Sequence, residues 1–148
     1  MAERRVEDRR AKVPSRVMNQ EIAERAVQAA QAKAKELGIT MSIAVVDESG
    51  NLVYFVRGDT SSFQTFETAK GKAVTAAAFR RPTRELLEGI RNNPAFWAGL
   101  SEQMGMVPGD GGHPLTKDGI MIGAIGCGGG LGDEDHLCSE AGAKAVST

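Results

Sequence analysis

The sequence predicts an α+β fold, an antiparallel sheet with helices packed against it. Three observations carry that expectation. An alanine-rich helical stretch at 18–37 runs straight into two β-branched segments joined by a short turn. A second alanine-striped helix covers 63–79, and the apolar run Gly119-Ile-Met-Ile-Gly123-Ala-Ile-Gly126-Cys127 dissolves into glycines before a last helix. Tight hairpin connections favour antiparallel pairing, because a parallel crossover needs about a dozen residues.

In the first helix, Met18, Ile22, Ala26, Ala29, Ala30, Ala34 and Leu37 recur at helical spacing, and Gly38 stands where a left-handed C-terminal cap belongs. Strands at 41–46 and 52–56 follow from their β-branched content, with Gly50 and Asn51 in the turn between them. Phe66, Ala69, Ala73, Ala76 and Ala77 form one stripe of the second helix, flanked by Lys70 and Lys72. Pro82 ends it, and Thr83 is suited to cap a short helix through Ile90. Residues 92–97, with the single tryptophan Trp97, read as a break; 104–107 reads as a short strand, and 108–114 as a glycine-rich turn leading to Leu115.

The 119–127 run reads as a buried strand through Ile120, Ile122 and Ile125. Its small residues Gly123, Ala124 and Gly126 imply that another backbone or a ligand packs closely there. Gly128 to Gly130 then loop into a helix at 134–146, with Asp133, Glu134 and Asp135 complementing its dipole. The whole reads as a strand, loop and helix N-terminus beside a pocket. Phosphate cradling is excluded: the glycines do not fall into G-x-G-x-x-G, and the acids at the helix start repel an anion.

At 148 residues the chain is long enough for one domain, expected at 18–148. Residues 1–17 read as a flexible tail, since residues 1–16 hold six basic and three acidic side chains and almost nothing large and apolar. A net charge of -1 argues against nucleic acid and acidic membrane surfaces. No apolar run reaches a spanning length, and the N-terminus lacks the hydrophobic core of a signal peptide. Cys127 and Cys138 cannot form a disulfide framework. A cytoplasmic protein with reduced thiols is the expectation.

Several residues carry chemistry. His113, in the glycine-rich turn beside Pro114, is either a surface loop histidine or a group able to ligate iron or move a proton. Arg57 and Lys72 are cations beside apolar surface, suited to an anionic ligand or to pairing with neighbouring acids. Cys127, Asp133, Asp135, His136 and Cys138 resemble a metal set, yet His136 and Cys138 face different sides of a helix and no C-x-x-C exists, so no structural zinc is expected. His136 reads as solvated and Cys127 as a small core residue; Phe66, Phe79, Phe96 and Trp97 suit core or subunit contacts, and Met104 and Met106 suit space-filling or a soft axial bond.

Taken in order, Ala44-Val45-Val46-Asp47 with Gly50 and Leu52-Val53, then Arg57-Gly-Asp59, Lys72-Ala73-Val-Thr75-Ala76 with Phe79, Gly111-Gly112 before Pro114, Ile122-Gly123-Ala124-Ile125-Gly126 with Gly129-Gly130, and Asp135 with Ala141-Gly142 resemble the GlcG/HbpS-like family of small heme-binding proteins. The likeness covers about residues 18–146 and extends to the PduO C-terminal domain. It implies a profilin-like fold with a five-stranded antiparallel sheet, a homo-oligomer, and heme or a related tetrapyrrole such as a corrinoid as ligand. With such a ligand, Arg57, Lys72, Gly112, His113, Pro114 and Gly126 are expected to bind it, and the His113 imidazole to ligate the heme iron. His113 departs from the family pattern, in which an apolar residue often stands between the glycine pair and proline. Related proteins include a lyase acting on aromatic hydroxylamines, so the alternative is a cofactor-independent lyase or isomerase for a small anionic aromatic substrate. There, Arg57 or Lys72 anchors the carboxylate, His113 is general acid or base, and Asp135 assists. A third reading is an assembly subunit whose glycine-rich strand packs against its own copy.

Overall fold

The computed structural model describes residues 17–148. The tail expected at 1–17 thus lies almost wholly outside the described residues; Val17 is exposed, and Met18 is buried in the core. The chain runs α1 (Gln20–Glu36), β1 (Ser42–Asp47), β2 (Leu52–Val56), α2 (Thr65–Phe79), a 3-10 turn (Thr83–Leu86), α3 (Leu87–Asn92), α4 (Pro94–Met104), β3 (Gly112–Lys117), β4 (Ile120–Gly128) and α5 (Gly132–Val146). The four strands form one antiparallel sheet in the order β2-β1-β4-β3.

Local chemistry explains the boundaries. Asn19 accepts the Ile22 N–H at 2.9 Å and so caps α1, which ends at Gly38 with a left-handed φ of 73°. The hairpin turn is held by Asp47, whose Oδ1 accepts from the Ser49 and Asn51 N–H groups at 2.9 and 3.0 Å. Asp118 and Gly119 both adopt positive φ, 53° and 78°, as a two-residue β3–β4 turn requires.

The sheet separates two packing layers. Ile43, Val45, Ile125, Cys127 and Leu115 point toward α1 and α5, where the alanine face of α1 lets the helices approach closely. A Cβ on Gly142 of α5 would stand 2.9 Å from the Ala26 carbonyl oxygen of α1. Val46 and Ala124 face the opposite way, toward Ala73, Ala76 and Ala77 of α2. β1 is buried along its whole length because both of its faces are covered.

The glycine strand is packed by backbone. A Cβ at Gly126 would lie 2.1 Å from the Ala69 carbonyl oxygen and 2.5 Å from the Ala73 nitrogen, so α2 rests directly on β4. The pocket expected beside this strand is therefore filled by a helix.

Three expectations about 82–107 are corrected. The sheet has four strands among the described residues, not five: residues 104–107 end α4 at Gly105, whose φ is 65°, and the Val107 N–H then binds the Gly71 carbonyl at 3.1 Å instead of a strand edge. The break expected at 92–97 is the start of α4, since Pro94 stands in its first turn, where no N–H is needed. Thr83 caps nothing; it is fully buried, and its hydroxyl accepts the Gly112 N–H at 2.9 Å. Trp97 anchors α4 against Phe79, ring centroids 5.0 Å apart. Among the described residues no helix is long and apolar enough to cross a membrane.

Candidate functional site

His113 is not in a loop. It is the second residue of β3, opposite Ile125, and this register turns its side chain toward α5. Gly111 bends the chain into the strand with a φ of 116°, and a ring only 7% exposed results. Its Nδ1 lies 2.7 Å from the Ser139 hydroxyl oxygen, while that hydroxyl donates to the His136 carbonyl at 3.0 Å. Ser139 has one hydrogen to give, so it accepts from His113 Nδ1–H, and the bare lone pair is left on His113 Nε2. Burial, and then the neighbouring His136, lower the His113 pKa to about 4, which keeps the imidazole neutral near pH 7.

His136 stands beside it, the two ring centroids 4.8 Å apart. Rather than being solvated, its side chain is 12% exposed. Its Nε2 lies 3.5 Å from Glu140, one turn further along α5, and its Nδ1 lies 3.4 Å from Asp110, buried and without a hydrogen bond. Lys144 holds the Glu140 carboxyl below the usual range through a 3.1 Å hydrogen bond. Asp110 is fixed by Arg84, whose Nε and Nη2 donate to Oδ2 at 3.0 and 2.7 Å, and the same guanidinium reaches Asp133. One ligand atom from each of His113, His136 and Glu140 falls within 4.8 Å of the others. The set weighed from sequence does not gather: Cys127 and Cys138 are core residues with no exposure, and Asp135 turns away.

Asp135 belongs to a separate centre with Lys72. The Lys72 ammonium donates to Asp135 Oδ2 at 2.7 Å and to the Cys127 carbonyl at 3.0 Å, and Asp135 Oδ1 accepts the Gly130 N–H at 3.0 Å. Burial raises the Asp135 pKa, and Lys72 opposes that rise. The sequence brings these groups together through close glycine contacts. A Cβ at Gly112 would lie 2.4 Å from the Lys72 carbonyl oxygen, and one at Gly111 would lie 2.6 Å from Asp135 Cβ. Lys72 is thus on the α2 side and His113 on the α5 side of the sheet, so the two do not converge.

Arg57 is exposed just after β2 and lines a different groove with Gln31, Lys35, Thr40 and Asp59. Pro114 continues β3 opposite Ala124, and Gly112 and Gly126 are packing positions occupied by α2. Of the residues singled out from sequence, the structure joins His113 to His136 and Lys72 to Asp135. Ser139, Glu140, Asp110 and Arg84 were missed. The spacing of His136 and Glu140, i and i+4 on a helix, was a legible signal for one of them.

The model of the family described as "Haem degrading protein HbpS-like" matches residues 18–144. The corrinoid adenosyltransferase PduO of Citrobacter freundii is 29% identical over 80% of this chain, which spans 36% of that protein's length. Among solved structures, HbpS superposes with a TM-score of 0.80 at 32% identity, covering 93% of this chain and 95% of that one. The PduOC–heme complex superposes with a TM-score of 0.77 at 27% identity, covering 87% of this chain and 94% of that one.

Proposed function

Because the chain belongs to the HbpS-like family, we propose that it binds heme or a related tetrapyrrole, with the His113–His136 pair as the source of the axial ligand. The observation that carries this reading is the pair itself. These are the only two histidines of the sequence, and they stand side by side at the junction of β3 and α5. An imidazole bond to the iron has to come from one of them. His113 fits the role chemically, since Ser139 occupies Nδ1 and leaves Nε2 with its lone pair. A heme bound there would supply iron-centred ligand and redox chemistry. Arg84 is a cation of the same cluster and is 41% exposed; it can exchange a carboxylate of Asp133 for a propionate. Lys72 supports the site only indirectly, by fixing the start of α5. A corrinoid is the related ligand suggested by the PduO relative.

Assembly into a homo-oligomer is part of the same reading, and exposed Phe63, Phe96 and Met104 supply apolar surface for it. The lyase alternative, in which Arg57 or Lys72 anchors the substrate and Asp135 assists His113, gains no support from the geometry. Arg57 lies elsewhere, and Lys72 and Asp135 neutralise each other.

The test is an absorption titration with hemin of the wild-type chain and of the His113→Ala and His136→Ala variants. A saturable Soret shift in the wild type, lost or displaced in at least one variant, is expected. Absence of a saturable wild-type shift overturns the binding reading, and an unchanged spectrum in both variants overturns the ligand assignment.

A further inference from the structure

We propose that the heme-free chain carries a divalent transition-metal site made by His113, His136 and Glu140, best suited to Zn2+. This goes beyond tetrapyrrole binding and does not rest on it. Two imidazoles and one carboxylate, converging from β3 and from successive turns of α5, are a ligand set that such ions accept while keeping an open position.

An oxygen stands near the Nδ1 of each ring, hydrogen-bonded in His113 and at 3.4 Å in His136. His113 donates its Nδ1–H to Ser139 and presents Nε2. His136 has its Nε2 3.5 Å from Glu140, and the nearest acceptor to its Nδ1 is Asp110, 3.4 Å away. Both rings can therefore bind through Nε2 while Nδ1–H leans on an oxygen, which fixes ring orientation and raises ligand basicity. Asp110 is itself immobilised by Arg84, so it acts as a positioning residue for His136.

Without an ion the arrangement is incomplete. His136 Nδ1 is buried without a hydrogen bond, a state that costs free energy in any fold. The ligand atoms are at most 4.8 Å apart, whereas a tetrahedral ion with bonds of about 2.1 Å brings its ligands to about 3.4 Å. The contraction is within reach of side-chain rotation, because Glu140 is partly exposed and its one hydrogen bond among the described residues, to Lys144, is made at the surface.

The experiment is isothermal titration of Zn2+ into the chelator-treated full chain, made without a histidine tag, with Co2+ absorption as a second readout. One ion per chain is expected, together with the intense visible bands of low-coordinate Co2+. His113→Ala, His136→Ala and Glu140→Gln should each weaken binding at least 10-fold, and Asp110→Asn should weaken it by a smaller factor. Glu36→Gln, on α1, should leave it unchanged. Glu140→Gln is the decisive variant, since a partly exposed α5 residue can lose its charge without loss of fold, which circular dichroism verifies. Absence of stoichiometric binding in the wild type, or wild-type affinity in Glu140→Gln, overturns the assignment.

Discussion

Lys72 donates to Asp135 Oδ2 across 2.7 Å and so ties α2, on one face of the sheet, to the first turn of α5, on the other. Both side chains are nearly buried, 10% and 5% exposed. Removing one partner strands the other charge away from water.

Lys72→Met is expected to destabilise the fold by about 3–5 kcal/mol, the range for an orphaned buried charge. Urea denaturation at pH 7 measures it. Lys72→Met with Asp135→Leu should recover much of the loss. The single variant's defect should also shrink on acidification, because burial has already raised the Asp135 pKa and a protonated carboxyl leaves no bare charge.

Acid sensitivity should trace to His113 in chelator-treated protein. Its folded pKa of about 4 lies below the ordinary 6.5, so between these values the unfolded chain binds a proton that the folded chain refuses. The contribution of the neutral His113 is complete above pH 6.5 and is lost as the pH drops toward 4. Urea midpoints measured across that window should decline in the wild type and decline less in His113→Gln. An equal slope in both would place the titrating group elsewhere.

Two glycine replacements should have opposite signs. Gly126→Ala puts a methyl 2.1 Å from the Ala69 carbonyl oxygen and forces α2 off the sheet, an overpacking that costs about 1–3 kcal/mol. Gly99→Ala, exposed in α4 with nothing within 4 Å of the new Cβ, should stabilise by about 0.5–1 kcal/mol through helix propensity. Paired thermal melts separate the two.

The thiols should be inert until the fold opens. Cys127 and Cys138 have no exposure, and burial raises both pKa values, that of Cys138 to about 11. Reaction with an aromatic disulfide reagent should be slow in buffer and should report both thiols at once in denaturant. Fast labelling of native protein would contradict this packing.

Much of the frame was legible because its signals are local. The alanine spacing of α1, the left-handed Gly38 and the β-branched β1 and β2 are each set by residues within a few positions of one another. The Asp118-Gly119 turn was equally local, and it was overlooked. Residues 104–107 misled for a physical reason. Their composition suits a strand, yet Val107 meets the α2 carbonyl of Gly71 before it meets a strand edge. His113 misled in the same way: the glycines before it suggest a turn, but Gly111 is spent on entering β3.

By itself the sequence determined an α+β chain with alanine-faced helices, an antiparallel sheet and a glycine strand that something must approach closely. Only the tertiary structure decided what approaches it and which polar groups meet. Lys72 and Asp135 are 63 positions apart, and His113 and Ser139 are 26 apart. Such partners are chosen by strand register and by which face of the sheet each helix covers. A slip of one residue in β3 would turn His113 toward α2 and dissolve the histidine pair.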